Sequence, residues 1–271
     1  MPRHKVMQHF ISQEDVGENI GLVLCKQFKS SDHYQHVFIT DSIFESTLIS
    51  NKTSEICTGF PLYLKDDPTQ QDIDQNRLSN LNHKIAKSMA KSMGLYYTYE
   101  KQEGSLTPID ILDYIYAVLH SRKYREKYRE FLKTGFPKIP YPTEQSQFWE
   151  LVEIGSRLRS LHLMKSPDLE NFITSYANVG SNQVESVKYI SEGLDSQSGS
   201  VFINEYQSFE NMPRVVWDYC IGGYQPAQKW LKDRKSRALS FDDVTIYQRM
   251  IVALNKTVQI MLEIDNLQIV K

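Results

Sequence analysis

The sequence predicts an α+β chain: mixed or antiparallel strands, a central helical subdomain and a long C-terminal helix. Three observations carry this. Short β-branched runs cluster near residues 20–64 and 184–221, while the residues between carry apolar positions three and four apart. No strand–helix–strand unit repeats, as a parallel sheet would require. At 271 residues, 41% hydrophobic and 24% charged, the chain is long and apolar enough for a core of its own. It reads as one unit over 1–271 with three lobes: 1–105 (mostly strands and loop), 106–165 (helical) and 166–271 (strands, then a helix).

Ile20–Cys25 and His36–Thr40 are short apolar runs between polar turns, and Glu55–Leu64 predicts a third strand. The Asp- and Gln-rich stretch 65–82 predicts a loop. Thr107-Pro108-Ile109-Asp110 starts a helix: a Thr cap, Pro at the first position and an acid three residues on. Ile109, Leu112, Ile115, Tyr116 and Leu119 continue it on one face. A strongly basic helix is expected over 121–133. Pro137, Pro140 and Pro142 then impose a stiff, extended path. A third helix is expected over 144–163, packed on the helix 107–120. Strands are expected at Val184–Ile190, Gly199–Ile203 and Arg214–Cys220. Ser240-Phe-Asp-Asp243 caps a final helix, 241–266, whose Val244, Tyr247, Ile251, Leu254, Val258 and Met261 form a narrow seam that closes the molecule.

Charge and motifs exclude several classes. Lys and Arg total 31 against 33 acids, a net charge of -2, so bulk positive charge cannot hold the chain to nucleic acid, though a local basic face can. No apolar run reaches the roughly 20 residues of a membrane span. Cys25, Cys57 and Cys220 lie far apart without CxxC spacing, against a zinc site or a disulfide framework and in keeping with a reducing cytoplasm. No phosphate loop, GxGxxG, GxSxG or HExxH pattern occurs, and the seven histidines show no paired ligand spacing. These absences predict no catalytic residues, metal or cofactor in this chain, and point to a binding module. The heavy use of tyrosine, 16 residues, suits a recognition surface.

Five segments together resemble a known family: Asn19-Ile-Gly-Leu22; His36–Asp41; Ser50–Ile56 with Phe60–Leu64; Leu106–His120 with Tyr124-Arg-Glu-Lys-Tyr128; and Gly223–Lys235. In order and spacing they look like the C-terminal specificity domain of type ISP restriction-modification enzymes and related large adenine DNA methyltransferases. The resemblance runs over nearly the whole chain. It implies target recognition on double-stranded DNA in the cytoplasm, beside a methyltransferase core that would use S-adenosylmethionine and, in type ISP members, beside a nuclease and a helicase-like ATPase. The methyltransferase signature Asn-Pro-Pro-Tyr is absent, so the chain resembles an excised domain or the product of a truncated gene. The family's base-contacting residues vary with the sequence read and do not carry over by motif.

Candidate DNA contacts therefore come from charge. The segment 121–133 holds six cations and two acids; Arg122, Arg125, Lys127 and Arg129 suit phosphate contacts, or else a solvated face with internal ion pairs. Lys229–Arg237 holds five cations and one acid beside Tyr224 and Trp230, which nominates Lys232, Arg234, Lys235 and Arg237. Asn51 and Lys52 in the polar loop 50–54 could present donors, or simply form a turn. Asn and Gln at 174–184 and at the turn 192–199 suit adenine edges and are equally ordinary loop residues. Two alternatives stand beside DNA recognition. One is a metal-dependent nuclease fragment, for which Glu103, Asp110 and Asp113 near Lys101 are the nearest acid cluster. The other is a module that only docks on a methyltransferase core.

Overall fold

A computed structural model describes residues 4–10, 19–27, 34–48, 55–64, 78–193 and 196–269. The chain divides into two compact units, Met1–Arg159 with Met261–Lys271, and Ser160–Ile260. The α+β class predicted from the sequence is observed.

The first unit begins with α1 (His4–Met7) and a three-stranded antiparallel sheet. Its strands are β1 (Gly21–Cys25), β2 (Val37–Thr40) and β3 (Cys57–Pro61), in the order β2-β1-β3. Every residue of the central strand β1 is buried, as a strand paired on both edges and covered on both faces requires. Phe10, Val23, Cys25, Phe44 and Cys57 form its core, with Phe10 and Phe44 edge to face. The Asn19 side chain ties the start of β1 to its surroundings: its Nδ2 donates to the His9 and Tyr63 carbonyls, and its Oδ1 accepts from Tyr63 N–H. Asn19 in the family-like segment 19–22 is thus a structural staple.

Two short ribbons follow, β4 (Tyr63–Leu64) with β5 (Leu78–Ser79), and β6 (Tyr96–Tyr97) with β7 (Ser105–Leu106). Between them lies α2 (His83–Ser92), capped by Asn82 through the Lys84 and Ile85 amides. Its pattern was legible, with Ala86, Met89 and Ala90 at helical spacing on the buried face, yet the sequence reading passed over it.

Helix α3 (Pro108–His120) starts as predicted, with Asp110 Oδ2 accepting from the Thr107 N–H at 2.9 Å and the Thr107 hydroxyl at 2.7 Å. The expected stripe is wider than one face. Ile111, Tyr114 and Val118 are buried together with Leu112, Tyr116 and Leu119, so α3 is a core helix. Helix α6 (Gln145–His162) packs on it within the first unit, as expected. Tyr114 and Phe148 rings lie 5.2 Å apart, and Arg159 grips Asp113 through two bonds of 2.7 and 3.0 Å. Gly155 permits this approach, because a Cβ there would sit 1.9 Å from the Asp113 carbonyl oxygen.

The predicted basic helix 121–133 is two pieces, α4 (Arg122–Lys127) and α5 (Arg129–Leu132), which meet at Tyr128. The proline segment that follows is irregular, as predicted, and two tyrosine hydroxyls hold it: Tyr124 donates to the Lys138 carbonyl and Tyr114 to the Pro140 carbonyl, both at 2.9 Å.

In the second unit, β8 (Lys188–Ser191), β9 (Ser198–Phe202) and β10 (Ser208–Pro213) form an antiparallel sheet in the order β10-β9-β8. A bulge lies between Phe209 and Met212, where Asn211 takes φ 58°. The strand predicted at Arg214–Cys220 is absent: Arg214–Trp217 is the short helix α7. Pro213 closes the preceding strand, Val215 faces out while Val216 and Trp217 face in, and Arg214 pairs with Asp218 one turn on. That i,i+4 pair was the sequence signal for a helix. Helix α8 (Pro226–Lys232) and the long helix α9 (Phe241–Asn266) complete the order. Ser240 and Asp243 cap α9 reciprocally, each backbone N–H donating to the other's side chain at 3.0 Å. Tyr247, Ile251 and Leu254 of the predicted seam enter the core with Phe209, Val216 and Leu231. Residues from Met261 onward belong to the first unit.

Candidate nucleic-acid interface

The two cationic segments differ in how firmly the protein holds their charges. In the first unit, Asp265 gathers the start of α4. Its Oδ1 accepts from the Ser121 hydroxyl and the Arg122 and Lys123 amides, and its Oδ2 pairs with Arg122 Nε at 2.8 Å. Arg125 is half-buried and donates to the Leu119 carbonyl. Arg129 pairs with Glu126 and Glu130, and Lys127 lies over the Tyr128 ring at 5.8 Å. The predicted cations thus come together along 122–129, but most of them first serve the protein itself. Arg122 and Lys127 are exposed and Arg129 is half-buried, so the donors a phosphate could meet lie mainly on the first two.

In the second unit, Arg234 lies 3.4 Å above the Trp230 ring, donates to the Trp230 carbonyl and pairs with Asp243 at 3.2 Å. The same contact, with the Ser240 N–H bond ahead of it, holds the Asp243 carboxyl below its usual range. Arg234 therefore braces α8 against the start of α9. Lys232 donates to Gln228, and Lys229 pairs with Asp233. Lys235 and Arg237 are exposed, and their side chains pair with no group among the described residues. Ser236 between them takes φ 65°, the left-handed region, so the backbone turns here between the two side chains. Asn51 and Lys52 lie outside the described residues.

A backbone seam joins this basic turn to the loop 174–184. Val184 N–H donates to the Arg237 carbonyl, Ser236 N–H to the Val184 carbonyl, and Leu239 N–H to the Asn182 carbonyl. Of the amides that sequence reasoning offered to adenine, Asn182 is half-buried, while Asn178, Gln183 and Gln197 are exposed. Gln207, 1% exposed, donates to the Asn178 carbonyl and to Asn182 Oδ1, and accepts from Asn182 N–H and Asn204 Nδ2. Tyr176 donates to Asn182, and Asn178 Nδ2 donates to the Tyr206 carbonyl. A Cβ on Gly180 would lie 2.6 Å from the Gln207 side chain, so the loop hugs that amide. Among the exposed residues of this loop and the neighbouring turn are Val179, at 99%, Tyr206, at 72%, Glu205 and Gln183. Sequence reasoning missed Val179 and Tyr206, since nothing in a Gly/Ser/Asn loop marks which apolar residue faces out.

Two of the three acids of the nuclease alternative are committed elsewhere, and the third, Glu103, is exposed. Asp110 caps α3 and pairs with Lys101 at 2.8 Å, and Asp113 holds Arg159. Among the described residues no three His, Cys, Asp or Glu side chains assemble a metal site, and no helix is long and apolar enough to cross a membrane.

The described residues form a mixed α+β fold that carries local basic turns. The family model for the Type ISP C-terminal specificity domain matches residues 1–263, and the chain belongs to that family. Among solved structures, the fold is similar to part of the ATP-dependent Type ISP restriction-modification enzyme LlaBIII bound to DNA. There the TM-score is 0.67 and the identity 20%, over 97% of this chain and 17% of that one. It is also similar to part of a DrdV–DNA complex (TM-score 0.62, 20% identity, 93% of this chain and 24% of that one). A third likeness is to a nuclease-deletion mutant of the Type ISP enzyme LlaGI in complex with a DNA substrate mimic (TM-score 0.59, 16% identity, 92% and 21%). The chain spans about a fifth of the length of these chains. No curated protein matches it.

Proposed function

We infer that this chain reads a short sequence of double-stranded DNA on behalf of a larger restriction-modification polypeptide. In this reading the chemistry belongs to an adjoining N6-adenine methyltransferase core, which binds S-adenosylmethionine, while this chain holds no cofactor and works in the cytoplasm. The observation that carries the reading is membership of a specificity-domain family over residues 1–263. It is supported by similarity of fold to enzymes solved with DNA, and by the exposed cations Lys235 and Arg237, which pair with no group among the described residues.

Of the candidate cations, the proposed phosphate contacts are Lys235 and Arg237. Arg234 stacks and pairs internally, so removing it tests stability; Lys235 and Arg237 are the cleaner probes. Two phosphate contacts contribute a slope of roughly -1.8 to log K against log salt. The test is fluorescence anisotropy on labelled duplexes across roughly 50–200 mM salt. The Lys235→Ala/Arg237→Ala protein should bind all duplexes more weakly and with a slope flatter by roughly 1.8, because phosphate contacts carry no base identity. Unchanged affinity and slope would remove this turn from the interface. Failure of the unaltered chain to bind any duplex at low salt would remove the reading itself.

A further inference from the structure

We propose that Val179 and Tyr206 form an apolar reading tip that contacts thymine methyl groups in the major groove. The inference rests on the DNA-recognition reading and deepens it. Both side chains stand in solvent on adjoining turns, 99% and 72% exposed. A free loop would let such groups fold back onto the surface. Here the turns are braced: Gln207 holds the Asn178 carbonyl, the Asn182 side chain and the Asn182 N–H, and Asn204 Oδ1 accepts from the Tyr206 and Gln207 amides at 3.0 and 2.8 Å. Asn178 closes the pair of turns through the Tyr206 carbonyl. The buried amides therefore fix where two apolar groups point, and pre-organisation of that kind reduces what ordering costs on binding.

The neighbourhood identifies the occupant. The backbone seam to residues 236–239 sets the turns beside Lys235 and Arg237, which suit the phosphates flanking a groove. Glu205, exposed next to Tyr206, repels phosphate but accepts from a cytosine amino group, which directs this turn to base edges. Val179 offers no donor or acceptor. The one apolar feature that a base-pair edge presents in the major groove is the thymine C5 methyl.

The experiment selects bound duplexes from a random pool with the unaltered chain, then repeats the selection with Val179→Ser/Tyr206→Ser. Both positions are exposed, so the variant should melt like the parent. Enrichment should flatten at one or two adjacent thymine-containing positions of the motif, with the salt slope unchanged. Replacing those thymines by uracil should weaken the unaltered chain about fourfold per methyl and leave the double variant indifferent. If the unaltered chain selects a motif and the double variant selects the same one with equal strength, the tip is wrong and recognition stands. If uracil costs nothing at any position, the methyl contact is wrong. If the unaltered chain selects no motif, the recognition reading falls and the tip with it.

Discussion

His36 shows how much one side chain in this sheet contributes to pH behaviour. It is fully buried; its Nδ1 accepts from the Gln35 N–H at 3.2 Å, so the neutral ring carries its proton on Nε2, 3.6 Å from Glu55. Burial pushes its pKa down from 6.5 to about 4, against the pull of Glu55. Between those two values the unfolded chain binds a proton that the folded chain refuses, so stability rises with pH across that window. Acidification from pH 6.5 to 4 should therefore cost up to about 3 kcal/mol, with little change above pH 6.5. Urea unfolding across this range should show that slope, and His36→Gln should largely remove it. Residue roles were legible where the chemistry is local: Thr107 with Asp110, and Ser240 with Asp243, are read from a spacing of three. Arg234 was not legible in the same way. Its partners Trp230 and Asp243 were in view, but charge alone nominated it as a DNA contact, and the ring stacking together with the Asp243 pair shows that it braces α8 against the start of α9.

At the scale of elements, the contact of α3 with α6 turns on one missing methyl group. Gly155→Ala places a Cβ 1.9 Å from a backbone oxygen that cannot swing aside, and should cost about 3 kcal/mol in a urea melt. A second element depends on a distant carboxylate: Asp265 caps α4 from more than a hundred residues away. Asp265→Ala should destabilise the fold by about 1–2 kcal/mol in the same assay. No sequence window contains that cap, and the one helix expected over 121–133 is two short ones that meet at Tyr128. The helices 108–120, 145–162 and 241–266 were legible because each carries its own cap or period. The run 214–220 misled because Val215 and Val216 favour strands, while the Pro213 boundary and the Arg214–Asp218 pair decide for a helix.

For the chain as a whole, three thiols report separately on its two units. Cys25 and Cys57 are buried in the first unit as cross-strand partners, and Cys220 is half-buried in the second. Burial raises the Cys220 thiol pKa, while the Cys57 thiol beside it and burial together push Cys25 far above the ordinary range. A thiol reagent at neutral pH should thus label Cys220 first. Cys25 and Cys57 should wait for opening of the sheet, with rates that follow its local stability. Mass spectrometry of partly labelled protein checks the order; equal rates at all three would show that the sheet of the first unit is not closed. Fold class and family were legible from the order of segments across the chain. Which side chains of the loop 174–184 face solvent was not, because that depends on how Gln207, distant in sequence, braces it.

The braced turns around Gln207 separate scaffold from message. Residues 179, 183, 205 and 206 hang their side chains on a frame whose hydrogen bonds come from Asn178, Asn182, Asn204 and Gln207. Changing the former leaves every strut in place. If the tip reads DNA as proposed, such a layout lets lineages, or an engineer, exchange the letters being read while the support that positions them is inherited unchanged.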